Sequence, residues 1–221
     1  IAWGKTLNAG QTCIAPDYLL IHRSLQDEFS RAFARALHRL HGDDAQQSLH
    51  YGRLVNDRAF ERVTSYLAQG KILVGGRTDP SDRYIEPTLL AEVDPGAPVM
   101  QEEIFGPVIT IYVYDDNKYE ETLELCDRTS PYGLTGSIFA RDRYAIDMAF
   151  NKLRYAAGNF YINDKPTGAV IAQQPFGGSR ASGTNDKAGG PLNLIRWTNA
   201  RCIKEALVPP TSYGYPFLGE K

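Results

Sequence analysis

An α/β fold is what this sequence predicts: a mostly parallel, doubly wound sheet with one further strand in a C-terminal tail. Two features of the chain lead there. Short runs rich in β-branched and aromatic residues alternate with stretches of helical apolar spacing, most clearly as β-α-β-α-β in the second half. The 221 residues, 43% hydrophobic and 23% charged, are enough for one large domain with a buried core.

The first half opens with a strand at Tyr18–His22. Phe29, Ala32, Phe33, Ala36, Leu37 and Leu40 then follow helical spacing, with Ser24 as the expected N-cap and Gly42 as the stop. Asn56 caps a second helix carrying Phe60, Val63 and Leu67 on one face, and Lys71–Val74 is a strand ended by Gly75-Gly76. In the second half Val108–Tyr114 reads as a strand. A helix face at Tyr119, Thr122, Leu123 and Cys126 follows it. Gly136–Ala140 is a strand, Ile146, Ala149, Phe150 and Leu153 mark a helix, and Asn159–Ile162 is the next strand. Parallel sheets of this kind receive ligands beyond the carboxyl ends of their strands. Residues 164–191 are Gly-rich and polar, too long for a plain connector, and read as a functional loop. Arg201–Leu207 is expected to be the tail strand.

Composition narrows the chemistry. A formal net charge of −2, with Lys and Arg scattered, argues against an electrostatic nucleic-acid binder. The longest apolar run, Val108–Tyr114, is far too short to span a membrane, and the chain opens without a secretory signal. It also opens without Met, from which an upstream portion is expected. Cys13, Cys126 and Cys202 are too few and too separated for a disulfide framework or a zinc pair, which points to a reducing compartment. The histidines include no H-E-x-x-H pattern, so no metal site is expected; His38 and His41 suit a helix end.

Three segments carry candidate chemistry. In Asn8-Ala9-Gly10-Gln11-Thr12-Cys13 a cysteine follows a Gly-containing loop, where backbone N–H groups can stabilise a thiolate nucleophile. A small buried hydrophobe is the alternative, and it is the reading for Cys126 and Cys202. In Gln101–Pro107 two carboxylates stand beside Phe105: a carboxylate can hold a sugar diol while the ring lies on a flat heterocycle. A solvated turn with Phe105 in the core is the competing reading. Pro175–Gly183 contains no nucleotide-binding fingerprint and no serine elbow, and suits a shaped loop at a pocket.

Taken together and in this order, the three segments resemble the C-terminal half of the aldehyde dehydrogenase superfamily, from about Ile1 to Glu205. Asn8–Leu20 is similar to the class 3 and fatty-aldehyde branch. The chain from Val108 onward is more similar to the branch that oxidises glutamate γ-semialdehyde, above all in Asn159–Lys165 and Ala181–Lys187. The resemblance implies Cys13 as nucleophile, with its backbone N–H in the oxyanion hole. It implies Glu103 on the nicotinamide ribose and Phe105 near the nicotinamide ring. A loop matching Thr167-Gly168-Ala169 would anchor a substrate carboxylate through backbone amides, and Phe176 would wall the substrate chain. Ala169 and Ile14 stand where relatives carry serine. Each loses a hydroxyl donor worth about 1–3 kcal/mol when buried and charge-assisted.

An NAD(P)-dependent enzyme that oxidises an aldehyde to an acid through a cysteine thioester is the activity this resemblance implies. Glutamate γ-semialdehyde, going to glutamate in proline catabolism, is the first choice of substrate and a neutral aldehyde the second. An inactive remnant acting as a structural or interaction protein, or a thioesterase-like hydrolase, are the remaining readings. Residues 1–200 would form the thiol domain and 201–221 a tail that pairs subunits of a homo-oligomer. The cofactor domain, the general-base glutamate and the oxyanion asparagine would precede Ile1, so these residues alone are not expected to turn over aldehyde. A small-molecule substrate is the implied partner, without nucleic acid or membrane, in the cytoplasm or, in a eukaryote, the mitochondrial matrix.

Overall fold

Continuous burial of one strand organises the molecule, which is described at residues 1–166, 168–170, 172–211 and 214 of a computed structural model. The strands are β1 (Tyr18–His22), β2 (Lys71–Val74), β3 (Thr78–Asp79), β4 (Tyr84–Ile85), β5 (Thr88–Ala91), β6 (Val108–Tyr114), β7 (Tyr132–Gly133), β8 (Thr135–Ile138), β9 (Asn159–Ile162) and β10 (Ser179–Arg180). The helices are α1 (Ala2–Thr6), α2 (Gln26–His41), α3 (Asp57–Ser65), α4 (Pro98–Gln101), α5 (Tyr119–Thr129), α6 (Arg143–Lys152) and α7 (Pro191–Ile195).

The main sheet has the order β1-β6-β5-β2, with β6 parallel to both neighbours and β2 antiparallel at one edge. Helices cover both faces, so β6 is buried from Val108 to Ile111, and its sequence is a continuous apolar run rather than an alternating one. On one side α2 packs Phe33 against Ile21, Leu89, Ile109 and Ile111. On the other α3 packs Phe60 and Val63 against Ile85, Leu90 and Val108. A second parallel pair, β8 with β9, lies under α5 and α6 through Leu123, Ala149 and Leu153. The mostly parallel, doubly wound class is therefore observed.

Local differences have local causes. Ser24 does not cap α2: a short 3-10 turn, Arg23–Leu25, intervenes, and the His22 side chain accepts from the Ser24 amide. Gly42, at φ +79°, does end α2, and Asn56 does cap α3, its Oδ1 accepting from Ala59 N at 2.8 Å. Leu67 falls beyond α3 in a 3-10 turn. β8 stops at Ile138 because the Asn163 amide grips both polar backbone atoms of Ala140, each at 2.9 Å. The interior strand β5 escapes the sequence pattern, since four fully buried residues show no alternation to read. Residues 201–207 are exposed and pair with no strand among the described residues, leaving Ile203 and Leu207 uncovered. No helix among the described residues is long and apolar enough to cross a membrane.

Candidate active site

The cysteine sits at the end of a strained turn. Asn8, Ala9 and Gly10 are all left-handed, at φ +51°, +53° and +74°. For the two non-glycine residues this costs roughly 1–2 kcal/mol each, so tertiary contacts must hold the turn. Ala9 is fully buried beside Tyr51 and Tyr84. Gln11 is the main tie. Its Nε2 donates to Asn8 O at 3.0 Å and Arg53 O at 2.9 Å, and its Oε1 accepts from Val55 N at 2.9 Å. Gly10 has a second reason to be glycine: a Cβ there would lie 2.1 Å from Gly106 O. The cysteine turn and the Glu103–Gly106 loop therefore meet backbone to backbone. Cys13 emerges exposed as a free thiol. Beside it the Thr12 hydroxyl oxygen is buried without a partner among the described residues.

Below the turn lies an ion pair that sequence reasoning missed. Lys5 is fully buried, with Nζ 3.1 Å from Asp17 Oδ1. Burial pulls its pKa down, and Asp17 pulls it back up. Glu103 belongs to the same electrostatic neighbourhood: burial first, then Asp17, raise its carboxyl pKa, while Arg62 and Lys5 oppose them. No periodicity joins Lys5 to Asp17, and the only available signal is a lysine inside a short apolar helix.

A cavity of about 450 Å³ is lined by Cys13, Ile14, Asp17, Glu103 and Pro166, among others. Two of the expected site residues thus line the same cavity. Phe105 follows Glu103 at φ +48° with a partly exposed ring, yet it does not line the cavity. Gly168 and Ala169 are half-buried and also off its wall, although Pro166, just before them, lines it and its carbonyl packs on Gly4. Thr167, the first residue of that expected anchor, lies outside the described residues. Phe176 is half-buried, away from the cavity, and joined by a two-bond bridge to Ala188.

The long 164–191 segment is braced at its root rather than loose. Asn159 donates to Pro175 O at 2.9 Å and accepts from Gly177 N at 3.1 Å. The Lys187 ammonium donates to the carbonyls of Gly158 and Gly177. Cys126 fits its bland reading: it lies on an apolar helix face, its thiol pKa is pushed up by burial, and the Tyr18 hydroxyl is its neighbour.

An α/β domain with an exposed thiol and a carboxylate on one cleft has the features of a cysteine-nucleophile enzyme. The chain belongs to the aldehyde dehydrogenase family, whose model matches residues 1–203. It is 50% identical over 217 residues to the mitochondrial delta-1-pyrroline-5-carboxylate dehydrogenase of Dictyostelium discoideum, covering 95% of this chain and 39% of that protein. The human protein of the same name is 43% identical over 218 residues, with the same coverage. Among solved structures, the delta-pyrroline-5-carboxylate dehydrogenase of Mycobacterium tuberculosis superposes with a TM-score of 0.78 at 41% identity, covering 98% of this chain and 41% of that one. A substrate-bound AldH from Staphylococcus aureus has a TM-score of 0.79 at 32% identity, covering 98% and 48%. The chain thus spans less than half the length of these relatives.

Proposed function

We propose that this chain is the catalytic half of an NAD(P)-dependent aldehyde dehydrogenase that converts L-glutamate γ-semialdehyde to glutamate. The observation that carries the reading is the backbone contact between Gly10 and Gly106, which sets Cys13 and Glu103 on one cavity. The names of the relatives supply the substrate.

In this reading the Cys13 thiolate adds to the aldehyde carbon, and amides near the turn hold the resulting oxyanion. The residues present fit a dinucleotide. Glu103 presents a carboxylate at the cavity wall to accept from ribose hydroxyls, and Phe105 offers a partly exposed ring beside it. When bound, the cofactor supplies the hydride acceptor for the aldehyde C–H. Cys13 holds the acyl group until water cleaves the acyl–sulfur bond, aided by a base that belongs to another part of the enzyme. Gly168 and Ala169 would receive the substrate carboxylate and Phe176 its aliphatic chain. Most contacts to the cofactor would come from a domain outside this chain. Residues 1–200 serve as the thiol domain, 201–221 pair subunits, and the enzyme works in the cytoplasm or mitochondrial matrix.

A neutral aldehyde is the second reading, favoured by Ile14 on the cavity wall and by the absence of a hydroxyl at position 169. The full-length enzyme separates the two. Its kcat/KM for glutamate γ-semialdehyde should exceed that for a neutral aldehyde of equal length by roughly tenfold or more, the worth of one charge-assisted anchor. The reverse preference rejects the acidic substrate. Iodoacetamide at neutral pH should label Cys13 well before Cys126, and equal slow labelling of both would remove Cys13 from the chemistry.

A further inference from the structure

We propose that Arg62 is a positioning residue for the cofactor-facing loop, fixing the backbone from which Glu103 and Phe105 project. The inference rests on Glu103 as the ribose ligand. Arg62 is half-buried on α3, its guanidinium over the Tyr66 ring with Cζ 5.5 Å from the centroid. One arm donates to Ile104 O at 2.7 Å. The other donates to Glu103 O at 3.3 Å and to the Tyr66 hydroxyl at 2.8 Å. The Tyr66 hydroxyl in turn donates to Glu102 Oε2 at 2.6 Å.

Residues 102, 103 and 104 are thus gripped by one fork and the tyrosine it orients. The next residue on the helix completes the hold: Val63 is fully buried, and a Cβ on Gly106 would lie 2.7 Å from its Cγ1. Between these two grips stands Phe105, a bulky residue at φ +48°, where such side chains are rarely found. Strained backbone of this kind persists only when its surroundings over-determine it. The fork supplies that constraint through the two carbonyls just before Phe105. It engages the main-chain carbonyl of Glu103, a residue that lines the cavity, and no hydrogen bond from the fork to its carboxylate is seen among the described residues. A planar guanidinium presents its donors to the two carbonyls and the hydroxyl in one rigid fork, where a lysine offers a point charge on a flexible stem.

The test uses the full-length enzyme with Arg62→Met, Arg62→Lys, Glu103→Gln and the double variant Arg62→Met/Glu103→Gln. Cofactor Kd is read by calorimetry in a Cys13→Ala background, beside KM values and melting temperature. Arg62→Met should weaken NAD binding about tenfold, consistent with losing charge-assisted hydrogen bonds, with the aldehyde KM changed less than about twofold. Arg62→Lys should fall between wild type and Arg62→Met. The double variant should lose less than the sum of the two single losses, because Arg62 acts through the loop that carries Glu103. Amide exchange at residues 103–106 should quicken in both Arg62 variants. If Glu103→Gln weakens binding while neither Arg62 variant does, the positioning role is overturned and the ribose ligand stands. If Glu103→Gln leaves binding unchanged, the ribose reading fails and the role built on it fails too. Should Arg62→Met not fold, wild-type affinity and exchange in Arg62→Lys overturn the proposal by themselves.

Discussion

The two sides of the candidate site are built differently. The cysteine turn and the Glu103–Gly106 loop touch through backbone atoms, with fully buried Ala9, Lys5 and Val63 packed around them. The 164–191 segment is tied at its root by Asn159 and Lys187, but a Cβ on Gly168 would meet no described residue beyond its chain neighbours within 4 Å, and Ala169 is only half-buried. A nucleophile must be placed to within a fraction of an ångström for its reaction, whereas a substrate anchor is adjusted by exchanging one side chain. Left-handed backbone occurs on both sides, at Asn8, Ala9 and Phe105 and again at Ala172, Arg180, Asn185 and Lys187. What separates them is the backbone-to-backbone contact at Gly10 against the room that the described residues leave around Gly168 and Ala169.

Glycine substitutions on the two sides give the strongest contrast. Gly10→Ala adds a Cβ 2.1 Å from Gly106 O at a positive φ, so the two loops must separate. We expect a loss of about 3 kcal/mol or more in unfolding free energy by calorimetry, together with loss of turnover. A mild Gly10→Ala phenotype would break the claim of a rigid chemical side.

Lys187→Met removes the ammonium from the carbonyls of Gly158 and Gly177. The expected cost is about 1–2 kcal/mol of stability. In kinetics the aldehyde KM should rise while the cofactor KM stays near wild type, and a rise in both would merge the two regions.

Glu103 sharpens the comparison through pH. Its carboxyl pKa is raised by burial, with Asp17 adding to the effect. In the proposed role the ionised carboxylate is the stronger acceptor for ribose hydroxyls, so cofactor affinity should be full above the raised pKa and fall as pH descends through it. The fall begins at a higher pH than an ordinary glutamate would give. Glu103→Gln should flatten this limb of the Kd-against-pH profile, and an unchanged profile would assign the limb to another group.

Gly168→Ala is the smallest expected effect. Among the described residues, no atom outside its chain neighbours lies within 4 Å of its Cβ position. Stability should stay within about 0.5 kcal/mol of wild type, and a larger loss would show that the recognition side is as tightly packed as the other.

Much of this was legible along the chain. Apolar spacing marked α2, α3, α5 and α6, the β-branched run marked β6, and Gly42 and Asn56 announced helix ends because capping is a matter of neighbouring backbone groups. Cys13 and Glu103 were singled out by another route: their local motifs are weak alone, but three such motifs in this order resemble those of the aldehyde dehydrogenase superfamily. Where a distant residue decides the outcome, the sequence is silent. Lys5 finds Asp17 across 12 residues, Arg62 reaches Ile104 across 42, and Tyr66 meets Glu102 across 36. β5 acquires its central place only because β6 and β2 flank it. By itself the sequence determined the alternation of elements, which is written in nearest-neighbour preferences, and offered Cys13 as the candidate nucleophile through the family resemblance of its motifs. The tertiary structure alone decided which loop the cysteine faces and which side chains brace it. Those outcomes depend on how buried surfaces stack, and stacking brings together residues that no local pattern connects.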